Sequence, residues 1–140
     1  MKTDMTDDVG NVKWQPEKGW IDVEIVKMVE GVSASKNPKY VINFADAVNP
    51  GNALEQSLTN IPGKRWLLRQ LLEACGIEPE ETKEEFTEKI RKVYDWEISD
   101  IEGKTVSALV EHEPNVWTDS NNKVHNDVQA KFVKFQKLSV

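Results

Sequence analysis

A chain of 140 residues with a formal net charge of −6 holds one domain with its own core and excludes a surface that is basic throughout. Its 39% hydrophobic content suffices for a globular fold with polar loops, and its single cysteine excludes an internal disulfide framework. No signal peptide opens the chain and no apolar run approaches the ~18 residues of a membrane span, so a cytoplasmic protein without membrane contact is expected.

Residues 1–13 are polar and acidic and read as a loose arm, and residues 14–140 read as a single domain in which Trp14 is the first anchored side chain. Trp20–Val29 (WIDVEIVKMV) places Ile21, Val23 and Ile25 in strict alternation and then slips phase, so that Val26 and Met28 become the apolar positions. A one-residue slip moves side chains to the other face, which predicts a β-bulge near Ile25 in a strand shared by two halves of a small barrel. Glu30–Lys39 reads as a loop carrying Lys36 and Lys39. Tyr40–Phe44 is a second strand with Tyr40, Ile42 and Phe44 on one face, Asn49–Asn52 is a turn, and Ala53–Thr59 is a third strand.

Pro62–Gly76 (PGKRWLLRQLLEACG) is the clearest helix. Pro62 suits its start and Gly76 its stop. Leu67, Leu68, Leu71, Leu72, Ala74 and Cys75 fill one apolar face, and Arg65, Trp66, Arg69, Gln70 and Glu73 fill the other. Glu78–Glu88 is strongly acidic. Thr82 with Glu85 matches a capping box, and Phe86, Ile90 and Val93 keep helical spacing, which predicts a short helix over residues 82–94 packed outside the barrel. Tyr94–Glu102 is a connector whose Trp96, Ile98 and Ile101 plug into the core. Gly103–Glu113 is a strand with Val106, Ala108 and Val110 on one side. Pro114–Lys123 is a polar hairpin loop with Trp117 near its tip, and Val124–Phe135 is the last strand with Val124, Val128, Ala130 and Phe132 inside. Lys137–Val140 is a short tail.

Three strands, a helix, an acidic insertion and two strands match a mainly β fold: the five-stranded Greek-key barrel of OB type, whose helix falls between its third and fourth strands. In such barrels the second and third strands form the binding face, and the loops Glu30–Lys39 and Pro114–Lys123 would flank it.

The runs SASKNPKYVINF, KRWLLRQLLEACGI and IEGKTVSALVEHE resemble, in that order, a phage-encoded family of single-stranded-DNA-binding proteins of OB-fold type found beside recombination and replication genes. The resemblance spans roughly residues 20–135. It implies a role in phage DNA replication or recombination in the host cytoplasm, with single-stranded DNA and phage recombinase or replication proteins as partners. Two features depart from it: the aromatic-rich segment around Tyr94–Trp96, and a C-terminus without the acidic tail through which many single-strand binders recruit partners.

The residues themselves offer little to catalysis. His112 and His125 lie in adjacent strands without an HxH or HExxH spacing, Gly63–Lys64 lacks the remainder of a Walker loop, and contiguous acids are usually a solvated face. No nucleophile–base constellation stands out, so no enzyme, cofactor or metal is expected. Single-strand binding instead needs aromatics for bases and cations for phosphates. Lys36 and Lys39 would meet phosphates, Tyr40 or Trp117 would stack on bases, and Lys123 would close the loop side. The Arg65–Trp66–Arg69 helix face is the second candidate. Trp66 reads first as a residue packed on a neighbouring strand or the acidic helix, and Trp117 equally as a loop anchor or a stacking ring. The rival reading is a protein-interaction module of the same complexes, or a host-factor inhibitor, working through Glu78–Glu88. Oligomeric state is open, a homodimer included.

Overall fold

The longest run of alternation in the first half of the chain becomes β1 (Gly19–Val32), the strand around which the sheet is built. The structure, a computed structural model, describes residues 14–138; the arm expected over 1–13 and the last two residues of the tail lie outside the described residues. The chain continues through β2 (Pro38–Asp46), β3 (Ala53–Thr59), α1 (Trp66–Ala74), β4 (Glu80–Lys83), β5 (Ile90–Val93), α2 (Ile98–Ile101), β6 (Thr105–Thr118) and β7 (Val124–Gln136). It is mainly β, with 52% of the described residues in strands.

Five strands form one antiparallel sheet in the order β3-β2-β1-β6-β7, while β4 and β5 pair only with each other. The amino-terminal half of β1 pairs with β6 and the carboxy-terminal half with β2, and the register slips between Ile25 and Lys27. This is the bulge the alternation predicts. Val26 is the extra residue; it points to solvent, whereas Val23, Ile25 and Met28 are buried. The backbone groups around the slip are taken up by the loop after α2. Ile25 N–H donates to Lys104 O (2.8 Å), Gly103 N–H donates to Ile25 O (2.7 Å), and Met28 N–H donates to the Glu102 carboxylate (3.1 Å). Buried backbone groups must find partners, and here the α2–β6 loop supplies them where β1 changes neighbours.

The expected closed barrel is not formed by backbone pairing, because no ladder joins β3 to β7. One side chain spans the gap instead. Gln56 of β3 donates through Nε2 to Phe132 O (2.8 Å) and accepts from Phe132 N–H at Oε1 (2.8 Å).

The core lies inside this curved sheet. Phe44 meets Phe132 edge-on at 5.0 Å and stacks on Phe135 at 5.5 Å, while Ile101 of α2 is fully buried among them as the sequence expects. The helix α1 packs chiefly across β7, burying Leu68, Leu71, Leu72 and Ala74, and Gln70 on its polar side accepts from Phe135 N–H (3.2 Å). Its end is as expected. Gly76 at φ +91 lets its N–H reach Glu73 O and that of Ile77 reach Leu72 O, the paired bonds of a Schellman stop. Its start is not. Pro62–Gly63 forms a tight turn in which Gly63 takes φ +83 and Lys64 N–H bonds Ile61 O, a Pro-Gly pairing that a helix cannot accommodate.

Three further expectations are corrected. Residues 82–94 are not a helix but the β4–β5 hairpin, and Phe86, Ile90 and Val93 are exposed rather than packed on the barrel. Capping-box geometry occurs instead at Glu97 and Asp100, ahead of α2. Pro114–Thr118 continues β6, so the loop shrinks to the turn around Asp119–Lys123, and Val124 and Val128 in the projecting β6–β7 arm are exposed.

Candidate nucleic-acid interface

The face expected to bind turns out to lack a stacking platform. Along β2 and β3 the residues alternating away from the core are Lys39, Val41 and Asn43, opposite Thr59, Ser57 and Glu55. None is aromatic. Tyr40 belongs to the opposite set: it is 9% exposed and its ring packs edge-on against Trp96 at 5.4 Å. Burial, with Glu30 nearby, pushes its phenol pKa up, and Arg65 opposes the shift. Tyr40 is therefore a packed wall, and the expectation that it offers a free face to a base is corrected.

The turn residues are spread apart. Lys36 occupies a left-handed position (φ +63) at the apex of the β1–β2 turn, and Lys39 lays its stem over Gly31 on the neighbouring strand. Trp117 is in β6, not in a loop. It is 44% exposed and stacks on His125 of β7 at 4.1 Å. His125 Nε2–H in turn donates to Asp119 (2.8 Å), whose carboxylate also accepts the N–H groups of Asn121 and Lys123. The hydrogen bond from His125 and those from the backbone hold the Asp119 pKa below its ordinary value. The register sets the Lys36–Lys39 turn and the Trp117–Lys123 turn beyond opposite ends of β1. His112 Nε2–H donates to Pro16 O (2.8 Å), so the two histidines serve separate contacts; among the described residues no group of three or more histidine, cysteine or carboxylate side chains is placed to hold a metal.

The second candidate fares better. Arg65, Leu68, Arg69 and Leu72 fall at i, i+3, i+4 and i+7, so one stripe of α1 carries guanidinium groups beside buried leucines. This stripe forms one side of a groove of about 590 Å³. Trp66 stands at its edge, 55% exposed, and Tyr40 and Trp96 close the interior. The facing side is Lys92, Val93 and Tyr94, brought there by β5, and Asn60 adds an amide. Tyr94 donates its hydroxyl to Glu73 of α1 (2.5 Å), which ties the two sides together. Desolvation, that hydrogen bond and the Glu73 charge raise the Tyr94 pKa to about 12.

Electrostatically the groove favours anions. It is lined by Arg65, Arg69 and Lys92, and Glu81 at 3.6 Å engages only the last of them. Arg65 is also the N-cap of α1, no acidic residue lies in the first turn, and no side chain caps the helix, so the positive end of the helix opens at the same place. A second cleft, of about 500 Å³ between β3 and the β6–β7 arm, has the opposite character: Glu55 and Glu113 line it, and its Lys131 is 3.7 Å from Glu113.

The structure thus brings Tyr40, Arg65 and Arg69 of the expected site into one groove and leaves Lys36, Lys39, Trp117 and Lys123 outside it. Sequence reasoning missed Asn60, Lys92, Tyr94 and Trp96. The run Arg91-Lys92-Val93-Tyr94-Asp95-Trp96 was the available signal, since a pair of cations followed closely by two aromatics suits a single strand. Cys75 is not a reactive group: burial pushes its thiol up to about 11. Among the described residues no helix is long and apolar enough to cross a membrane. In comparison with known proteins, the chain matches no family model and no curated protein.

Proposed function

We propose that the chain binds single-stranded nucleic acid, DNA foremost, in the groove between α1 and the Lys92–Trp96 segment, and that it does so as a binding protein rather than an enzyme. The observation that carries this reading is the meeting of an exposed Trp66 with Arg65, Arg69 and Lys92 over a buried apolar floor. Bases present a π-face to stack and phosphates present charge to neutralise, and a groove with both is sequence-tolerant. The net charge of −6 is compatible with this because the cations are concentrated locally. A duplex keeps its bases stacked on one another and cannot offer their faces to Trp66, so single strands are preferred.

The sheet order and the position of α1 between β3 and β6 favour an OB-type barrel whose seam is spanned by Gln56 rather than by a ladder. The strand then runs at the helix end of that barrel, not across β2 and β3. The assignment to phage DNA replication or recombination comes from the sequence resemblance.

The test is fluorescence anisotropy with a labelled single-stranded oligonucleotide at several salt concentrations. Stacking on one aromatic is worth about 1–3 kcal/mol, so Trp66→Ala weakens binding at least several-fold. It leaves Tm nearly unchanged because the ring is more than half exposed. Arg69→Ala lowers the salt slope by about one ion. Trp117→Ala leaves affinity within error. No binding at low salt, or equal binding of duplex, overturns the proposal. Loss of affinity in Trp117→Ala but not Trp66→Ala moves the site to the β6–β7 arm.

A further inference from the structure

The β4–β5 hairpin presents the most exposed large apolar side chain among the described residues. Phe86 is 96% exposed at the tip, flanked by Glu84, Glu85 and Glu88. Every residue of both strands is exposed as well. A lone two-stranded hairpin is marginally stable in water. This one is shaped by its own contacts. Glu84 N–H bonds Lys89 O, Glu88 takes a left-handed φ of +55, Thr87 donates to the Glu84 carboxylate (2.8 Å), and Lys83 pairs with Glu88 (3.7 Å). The tip is therefore an ordered turn holding an aromatic ring out among carboxylates.

The complement of that tip is on the same molecule. The α1 groove has an apolar floor of Leu68 and Leu72, aromatic walls, and two guanidinium groups, Arg65 and Arg69, with no carboxylate in ion-pair range among the described residues. A chain cannot fill its own groove. Lys92 and Val93 at the foot of β5 line it, while Phe86 lies beyond the far end of that strand, past the Lys83–Ile90 pair. At ~3.3 Å per residue the tip stands roughly 10 Å or more away along the ladder.

We propose that the hairpin tip of one copy docks in the α1 groove of a second copy, with Phe86 on the leucine floor and Glu84 and Glu85 against Arg65 and Arg69. In a twofold pair each copy gives one finger and receives one, so the contact closes and does not polymerise. An aromatic anchor buried in a pocket with charges matched around it is the usual centre of a protein interface. On the nucleic-acid reading of the groove, on which only this consequence rests, the carboxylates of the tip take the place of phosphates and its ring that of a base. The dimer is then a self-occluded form that single-stranded DNA dissolves.

Sedimentation velocity of the full chain over a concentration series, at low and high salt, is the test. The wild type forms a dimer whose association weakens as salt rises. Phe86→Ala, a fully solvated position whose loss cannot unfold the core, weakens association about tenfold or more. Arg69→Glu does the same, and a mixture of the two variants recovers hetero-association through the one intact finger and groove. A wild type that stays monomeric through the series, or a Phe86→Ala variant that associates as the wild type does, overturns the docking. Adding an oligonucleotide separates the two readings. Dimer without competition retains the docking and overturns the nucleic-acid site; binding without dimer does the reverse.

Discussion

Both tyrosines of the chain, Tyr40 and Tyr94, are held as phenols by their surroundings. Desolvation is the larger cause in each case, and a carboxylate adds to it: Glu30 beside Tyr40, Glu73 bonded to Tyr94. A phenol whose folded pKa lies above its unfolded value contributes stability that is fully present below the unfolded pKa near 10.0. That contribution is lost as pH rises through the folded value, about 12 for Tyr94. Ultraviolet titration of the native protein should therefore show both phenols releasing their protons at higher pH than in the unfolded chain, with the Tyr94 step at about 12. A native titration in which both tyrosines ionise as they do in the unfolded chain would mean that the Tyr94–Glu73 tie is absent in solution. Tyr94→Phe tests the tie itself: the groove loses the bond joining its two sides, and its affinity for an oligonucleotide falls although no cation or exposed ring has been removed. Cys75 belongs to the same scale. With its pKa at about 11 it stays a thiol at neutral pH, so alkylation should await unfolding.

The elements divide according to whether their side chains had somewhere to go. The bulge in β1 is a case where local pattern and tertiary structure agree: Ile25 is fully buried and Val26, one residue on, is 53% exposed. Ile25→Ala should cost about 2–5 kcal/mol in urea unfolding, and Val26→Thr should stay within about 0.5 kcal/mol. Equal costs at the two positions would remove the bulge. The termination of α1 was likewise readable, because a Schellman stop needs Gly76 and nothing distant. The hairpin was not. Phe86, Ile90 and Val93 keep a helical spacing, but spacing predicts a helix only when a neighbouring surface covers the apolar face, and here no face is covered. The error at Val124 and Val128 has the same origin, since the β6–β7 arm runs past the end of β1 and buries neither residue. The groove followed suit. Arg65, Trp66 and Arg69 stood out because an aromatic on the polar side of a helix has no core to enter. Lys92, Tyr94 and Trp96 did not, because only the hairpin carries them opposite α1.

At the scale of the molecule the notable feature is the unpaired seam. β3 and β7 are the two ends of the sheet order and no ladder joins them, and an unpaired edge is the usual route to unwanted strand addition. The Gln56 amide imitates one residue of a ladder, giving a donor and an acceptor to the two backbone groups of Phe132, whose ring is at the centre of the core. Position and chemistry both matter. A leucine keeps the volume and loses both bonds, whereas a glutamate keeps the acceptor for Phe132 N–H but sets a charged oxygen against Phe132 O. A buried group left without its partner costs about 1–3 kcal/mol, so Gln56→Leu should lower stability by that order and Gln56→Glu by at least as much at neutral pH. Hydrogen exchange separates a local from a global effect: the Phe132 amide should exchange faster in Gln56→Leu, while the amides of the β1–β2 ladder change only as far as the whole fold is weakened. Gln56 lies outside the α1 groove, on the β3 cleft instead, so both variants, once folded, should bind an oligonucleotide as the wild type does. If Gln56→Leu is as stable as the wild type, the core alone holds β3 beside β7 and the amide merely occupies the gap.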